Sequence, residues 1–305
     1  MKRSFLPVLL LLVATCSVVH SYSVSQPFTQ AINAAVAELV GTASFSAAYF
    51  NLMAFSVPTC SSPTKYPSTN PFTTMLTNNT LNLCYDASTV NSYPWVDVYK
   101  MVGDGIVKQL NTQYKMSIIG NYVLVDTSVK GYIEGMKDAV DSGVCHVSVA
   151  DTTITDARRK LVNFQTCSYG STSFAFLRNT LDNTTITTNS VTDLNRTDVT
   201  IAVYGGTSYE TYVDTYLSAA KKIATDYDNQ FILFNSKQVH AIVGDAIDLY
   251  TYRTSGSCQD NCYVRAFGDP SFFSTFTTLS ITSGTVCVKM TSIVLMFILS
   301  VLSVF

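Results

Sequence analysis

The spacing of apolar residues alternates between a helical and a strand period along the chain, and the changes of period mark out its elements. Over residues 27–55 the pattern is helical. Ile32, Ala35, Val36, Leu39 and Val40 share one face, Gly41 stops a first helix, and a second piece over 44–53 brings Phe45, Tyr49, Phe50 and Met53. Residues 56–80 are rich in Pro, Ser, Thr and Asn and read as a surface loop. A strand is expected over 81–85, closed by Asp86, followed by an amphipathic helix over 98–110. Extended pieces over 114–119 and 122–125 come next, then a short helix over 133–140 stopped at Gly143. The apolar strand of 144–150 turns abruptly polar at Asp151-Thr152-Thr153, and a helix is expected over 155–161. Strands alternating with helices in this way imply mainly parallel sheet covered on both faces.

Beyond this the chain reads as a crossing strand over 169–178 and a polar stretch over 179–198. A strand follows over 199–204, then the tight turn Gly205-Gly206-Thr207-Ser208 and a helix over 209–224. Strands over 231–234 and 239–243 come last, the latter ending at Gly244-Asp245. Val144-Cys-His-Val-Ser-Val-Ala-Asp151 and Val239-His-Ala-Ile-Val-Gly-Asp245 echo one another in a histidine, an apolar run, a small residue and an aspartate. The echo suggests two similar α/β lobes. In open α/β sheets ligands bind outside the carboxyl ends of the strands, so facing lobes would place a site between them.

Composition narrows the setting. The chain has 305 residues, 47% of them hydrophobic and 13% charged, with net charge −2 and no Lys/Arg run longer than the three residues 158–160, which argues against a nucleic-acid partner. Met1-Lys-Arg3 before an apolar run over 5–19 is the pattern of a secretory signal, with cleavage expected near Ser21. The apolar end, 292–305, follows the small residues Ser283, Gly284 and Thr285 and a short polar spacer. It reads as a glycolipid-anchor signal, with a terminal transmembrane helix as the alternative. Of eight cysteines, setting aside Cys16 and Cys287 leaves six for three disulfides, with Cys258–Cys262 and Cys145–Cys167 expected as local pairs. Asn78, Asn183 and Asn195 each head an Asn-x-Thr sequon. The expectation is an exported, glycosylated protein held on the outer face of the plasma membrane or secreted.

The chemistry concentrates at 150–164. Hydroxyls of Thr152, Thr153 and Thr155 at a strand end, an expected helix start and Arg158 on its first turn would make a carboxylate site, the guanidinium forking onto two oxygens. Arg159 falls elsewhere on the helix and reads as solvated. Gly206-Thr207-Ser208 is a turn of the kind that cradles anions, although Ser208 alone could be a helix cap. Asp86 and Asp245, each at the end of an apolar strand, are either caps or partners for a ligand ammonium. Tyr132, or Tyr93 and Trp95, could form an aromatic wall. His146 and His240 head apolar strands at the end away from this site. No HExxH, GxSxG or metal-spaced Cys/His cluster occurs, and Cys145 beside His146 is better explained by a disulfide than by a thiol nucleophile. Neither metal nor cofactor is expected.

Together Ala150-Asp-Thr-Thr-Ile-Thr-Asp-Ala-Arg158, Val162-Asn-Phe164, Leu83-Cys-Tyr-Asp86, Val203-Tyr-Gly-Gly-Thr-Ser-Tyr-Glu210 and Val239-His-Ala-Ile-Val-Gly-Asp245 resemble, in order, the polar amino-acid-binding periplasmic proteins. The same motif recurs in the ligand-binding core of ionotropic glutamate receptors. The resemblance covers about 81–265. It implies a two-lobed α/β clamshell of the type II periplasmic-binding-protein kind, with mainly parallel sheets and two crossing segments near 176–178 and 267–273. It also implies that Thr153 and Arg158 take a ligand carboxylate from lobe 1, Thr207 and Ser208 close on it from lobe 2, Asp245 accepts the ammonium, and Asp86 and Tyr132 lie at ligand positions. His146 and His240 stand where the family usually has aspartate. The helices of 26–51 resemble that family's C-terminal helices, so the order expected is a circular permutation. Its parts are a signal at 1–21, helices and loop at 22–80, lobe 1 at 81–178, lobe 2 at 179–265, a return to lobe 1 at 266–283 and an anchor at 284–305. The function expected is reversible capture of a free amino acid for uptake or sensing beside an unidentified transporter or receptor, without chemistry on the ligand. The competing expectations are an adhesive surface glycoprotein and a dehydratase-like enzyme.

Overall fold

The computed structural model describes residues 22–61, 65–89, 94–179, 190–255, 258 and 261–282. The expected signal, anchor, Tyr93 and Asn183 sequon lie outside them.

The chain begins with β1 (Val24–Ser25), α1 (Gln26–Val40), α2 (Ala43–Met53) and a short α3 (Phe72–Met75). The Ser25 hydroxyl accepts from Phe28 N at 3.2 Å and Pro27 sits in the first turn, so α1 starts where capping and proline geometry both allow it. Its buried stripe, Phe28, Ile32, Ala35, Val36 and Leu39, joins the core that also holds Leu81, Val102, Ile106 and Val147. Leu39 lies where a Cβ on Gly105 would stand, which is how α1 comes down onto the helix carrying that glycine.

The first lobe continues through β2 (Thr80–Asp86), α4 (Trp95–Tyr114), β3 (Ile119–Val125), α5 (Tyr132–Asp141), β4 (Val147–Ser148) and β5 (Asn163–Phe164). Then comes β6 (Gly170–Asn179), leading to β7 (Thr200–Tyr204), α6 (Ser208–Tyr216), β8 (Lys221–Thr225), α7 (Tyr227–Asn235), β9 (Ala241–Asp245) and α8 (Ala246–Ser255). β10 (Cys262–Phe273) returns to the first lobe, where β11 (Phe276–Thr277) and β12 (Ile281–Thr282) end the described chain.

Two five-stranded sheets result, ordered β3-β2-β4-β11-β5 and β10-β6-β9-β7-β8, and β12 pairs parallel with β1. Each five-stranded sheet is mixed. The sequential strands β2, β3 and β4, and likewise β7, β8 and β9, pair in parallel. Strands that arrive from or leave for the other lobe (β6, β10 and β11) add antiparallel partners. β6 and β10 run side by side as the two connecting strands. Their lobe-1 ends pair Gly170 with Phe273 and Thr172 with Ser271, and Phe174 already pairs with Asp245 inside the second sheet. The crossing therefore lies at 170–173 and 268–273. Phe176, Leu177 and Arg178, expected at the first crossing, sit within lobe 2 opposite Val243, Ile242 and Ala241.

Other expectations are corrected by tertiary pairing. Residues 155–161 form only a 3-10 turn, Arg158–Lys160, because the chain must come back at once to lay β5 against β11. The expected helix over 209–224 ends at Tyr216, and 221–225 becomes the edge strand β8. The apolar run 231–234, expected as a strand, lies in α7, which starts where the Asp226 carboxylate accepts from Asn229 N at 2.8 Å. The disulfides are Cys60–Cys167, Cys84–Cys145 and Cys258–Cys262. Cys145 is not bonded to Cys167. The parallel register of β2 with β4 brings Cys145 to Cys84 at a Cα separation of 5.8 Å, and Cys167 meets the loop cysteine Cys60.

The echo between the lobes has a physical counterpart. His146 N donates to Asn82 O and its Nδ1 accepts from Asn82 N at 2.8 Å. His240 N donates to Thr200 O and its Nδ1 accepts from Thr200 N at 2.9 Å. Each imidazole thus completes the sheet ladder at the end opposite the cleft. Burial lowers the pKa of His146, which keeps that Nδ1 free to accept.

Candidate functional site

A small cavity of about 50 Å³ lies between the lobes as they stand in this closed arrangement. Lobe 1 contributes Trp95, Tyr99, Tyr132, Asp151, Thr153 and Arg158. Lobe 2 contributes Tyr204, Thr207, Ser208, Tyr209, Asp245 and Asp248.

Arg158 reaches it through local geometry. The Thr155 hydroxyl accepts from Arg158 N at 3.1 Å, and Leu161 N and Val162 N both donate to Arg158 O, which folds the segment into a tight turn. The buried guanidinium then returns over its own strand end. Nη1 donates to Thr153 O at 3.1 Å and Nη2 to Gly206 O of the other lobe at 3.2 Å, and Cζ stands 5.8 Å from the centre of the Tyr132 ring. Among the described residues no carboxylate lies within 4.0 Å of it. Burial lowers its pKa, but a guanidinium titrates so far above neutral pH that Arg158 keeps its charge. A buried cation held only by carbonyls and an aromatic face still wants an anion.

The α6 start faces the same space. The Thr207 hydroxyl donates to Tyr204 O at 2.6 Å and accepts from Glu210 N at 3.4 Å, so it is committed to capping the helix. Ser208 lines the cavity at the first helical position, where backbone N–H groups point outward from the positive end of the helix dipole. The helix terminus expected behind Arg158 is thus supplied by α6.

The negative side comprises Asp151, Asp245 and Asp248. Asp245 Oδ1 accepts from Thr172 Oγ1 at 2.9 Å and Ile247 N at 2.7 Å, and Oδ2 accepts from Tyr209 Oη at 2.9 Å. Asp248 accepts from Trp95 Nε1 at 2.6 Å across the cleft, and Asp151 from Tyr99 Oη. Burial, reinforced by the charge of Asp151, raises the pKa of Asp245 to about 7. Burial first, then Asp245 and Asp151, push Asp248 well above the usual carboxylate range, and burial raises Asp151 as well.

Of the residues expected from sequence, Tyr132, Thr153, Arg158, Thr207, Ser208 and Asp245 line this one cavity. Asp86 does not. Its carboxylate is buried behind Tyr204, accepting from Tyr204 Oη, from Thr127 Oγ1 at 3.0 Å, and from Ser88 N and Oγ. Because Tyr204 belongs to lobe 2, Asp86 is a latch across the cleft rather than a cavity wall. Two further contacts hold the lobes together. Tyr132 N donates to Gly205 O at 3.0 Å, and Gly206, at φ +76°, lies so near that an added Cβ would stand 2.6 Å from Tyr132 N. Sequence reasoning missed Tyr99, Asp151, Tyr204, Tyr209, Tyr227 and Asp248. Two of them carried a readable signal: Asp151 closes the strand that echoes the one ending at Asp245, and Asp248 lies one helical turn after Asp245. Among the described residues, no three His, Cys, Asp or Glu side chains gather as a metal site.

No family profile and no curated protein matches the chain. Solved structures do share its fold. An ancestral amino-acid-binding protein, a precursor of cyclohexadienyl dehydratase, is 21% identical at a TM-score of 0.54, covering 66% of this chain and 82% of that one. The arginine-bound truncated arginine-binding protein of T. maritima is 16% identical at 0.51, covering 74% and 96%. The solute receptor for L-cysteine of Neisseria gonorrhoeae is 15% identical at 0.51, covering 66% and 78%. The fold is that of the type II periplasmic amino-acid-binding proteins.

Proposed function

We propose that this chain captures a free amino acid between its two lobes and releases it unchanged. One observation carries the reading. Among the described residues, the buried guanidinium of Arg158 has no carboxylate partner and the buried carboxylate of Asp245 no cationic one, and the two share one interlobe cavity. A zwitterion satisfies both at once. Its carboxylate would be taken by Arg158, the Thr153 and Ser208 hydroxyls and the α6 start, and its ammonium by Asp245. Enclosure strengthens such pairs by removing water. Because the two halves come from different lobes, the ligand favours the closed arrangement, and release requires opening about the paired strands β6 and β10. The solved structures sharing the fold support the reading, since their names state that they bind arginine, glutamine or cysteine.

The setting we propose is the cell exterior, with a C-terminal lipid anchor and delivery of the ligand to a transporter or receptor. Three disulfides support an oxidising compartment, and the sequon residues Asn78 and Asn195 are exposed.

Titration calorimetry of the purified protein against the twenty amino acids tests the function. Saturable one-to-one heat with the amino acid recovered intact is expected. Heat with none of them would refute the reading in favour of an adhesive surface glycoprotein, and conversion of the ligand would refute it in favour of a dehydratase-like enzyme.

A further inference from the structure

The cavity contains more negative charge than a simple zwitterion uses. Once Asp245 has met the α-ammonium, Asp151 and Asp248 still line the space. Among the described residues neither lies within 4.0 Å of a Lys, Arg or His nitrogen. Their donors are all neutral: Tyr99 Oη for Asp151, and Trp95 Nε1 and the Tyr227 side chain for Asp248. A carboxylate offers about four acceptor sites, so each keeps capacity on its cavity side. The donors also build aromatic walls. Trp95 and Tyr99 are stacked with centroids 6.0 Å apart and planes 22° apart, both buried, and Tyr227 lines the same cavity. Carboxylates between aromatic faces suit a cation, since ring quadrupoles add to the ionic attraction.

Resting on the amino-acid reading above, we infer that Asp151 and Asp248, walled by Trp95, Tyr99 and Tyr227, form a subsite for a cationic side chain. The ligand class is then an α-amino acid bearing a second, side-chain cation, a guanidinium or an ammonium. The lining residues carry three carboxylates against one guanidinium, and such a ligand supplies two cations and one carboxylate. It matches every buried charge but one of the aspartates, and that one can retain a proton. Asp248, held well above the usual carboxylate range by burial and by its two acidic neighbours, is suited to hold that proton.

Calorimetry of the purified protein with L-arginine, L-lysine, L-citrulline, L-glutamine and agmatine tests this. Citrulline keeps the shape of arginine without its side-chain charge, and agmatine keeps the cation without the α-carboxylate. Arginine or lysine should bind at least ~100-fold tighter than citrulline and glutamine, as expected where a buried charge loses its partner. Asp248→Asn and Asp151→Asn, each checked for an unchanged melting curve, should lower the preference for arginine over citrulline by about tenfold or more while leaving citrulline affinity nearly unchanged. Citrulline or glutamine binding as tightly as arginine would overturn the cationic subsite and leave the zwitterion reading standing. Agmatine binding as tightly as arginine would instead refute the carboxylate half at Arg158. Loss of all binding in both variants, with citrulline affinity falling as far as that for arginine, would also overturn the subsite.

Discussion

Gly206→Ala should disable capture while leaving the fold in place. Gly206 sits at φ +76°, and a Cβ there would stand 2.6 Å from Tyr132 N and 3.0 Å from Gly131 C, both in the opposite lobe. The lobes could not then approach to the observed distance. Two contacts would be lost with the approach. Tyr132 N–Gly205 O is worth about 1 kcal/mol, and Arg158 Nη2–Gly206 O, with its charged donor, about 1.5–3 kcal/mol. Since these form only on closure, affinity should fall roughly 10²–10³-fold. The left-handed backbone costs a non-glycine residue about 1–2 kcal/mol whether the lobes are open or shut, so melting should drop by only a few degrees. Gly205→Ala is the control. Its φ is not positive and its added Cβ would meet Thr225 O at 3.5 Å, an ordinary contact. Calorimetry with the best-binding amino acid, beside a melting curve, reads both effects. Gly206→Ala binding within about threefold of the parent would refute the account of closure. So would an equal loss in Gly205→Ala.

Arg158→Ala should abolish calorimetric binding and leave cooperative melting, and unchanged affinity would remove Arg158 from the carboxylate site. Tyr204→Phe breaks the Asp86 latch, since phenylalanine cannot donate to that carboxylate. It should weaken binding by about tenfold through the cost of one unmade buried hydrogen bond, without changing which amino acid is preferred. Deleting residues 26–55 removes Phe28, Ile32, Val36, Leu39, Phe45 and Tyr49 from the lobe-1 core. At about 1.5–3 kcal/mol per side chain the loss matches a whole domain's stability, so far-ultraviolet circular dichroism should show an unfolded lobe; a shortened chain that still folds would place those helices outside the core. Ligand ammonium favours ionised Asp245, whose pKa in the empty cavity is about 7. Affinity should therefore hold above pH 7 and decline as pH falls through that value, measured by titration between pH 5 and 8. In the empty protein the sign reverses. The raised pKa makes the carboxyl costly to fold in its ionised form, so its contribution to stability falls as pH rises from about 4 towards 7.

Much of this molecule is written in local pattern. The apolar stripe of α1, the runs that became β2, β7 and β9, and the polar break after Ala150 each carry their own signal, because periodicity and capping act within a few residues. The ordered motifs around Arg158, Thr207 and Asp245 pointed to two facing lobes, and the structure gathers all three residues in one cavity. Other features depended on distant partners. Residues 231–234 are an apolar run that suits either period, and the capping carboxylate of Asp226 resolves them into helix. The helix promised by 155–161 gives way to one turn because β5 must meet a strand more than a hundred residues later.

The site divides in the same way. The sequence by itself determined its charged chemistry: an arginine after a hydroxyl cluster, a glycine turn opening a helix, and an aspartate closing a strand. Only the tertiary structure decided that Asp86 latches the lobes, that Thr207 spends its hydroxyl on a cap, and that Asp151 and Asp248 face one space with Trp95 and Tyr99. The physical reason is that a residue type states which bonds a side chain can make. The partner it bonds is set by how two sheets, joined by two paired strands, close on each other.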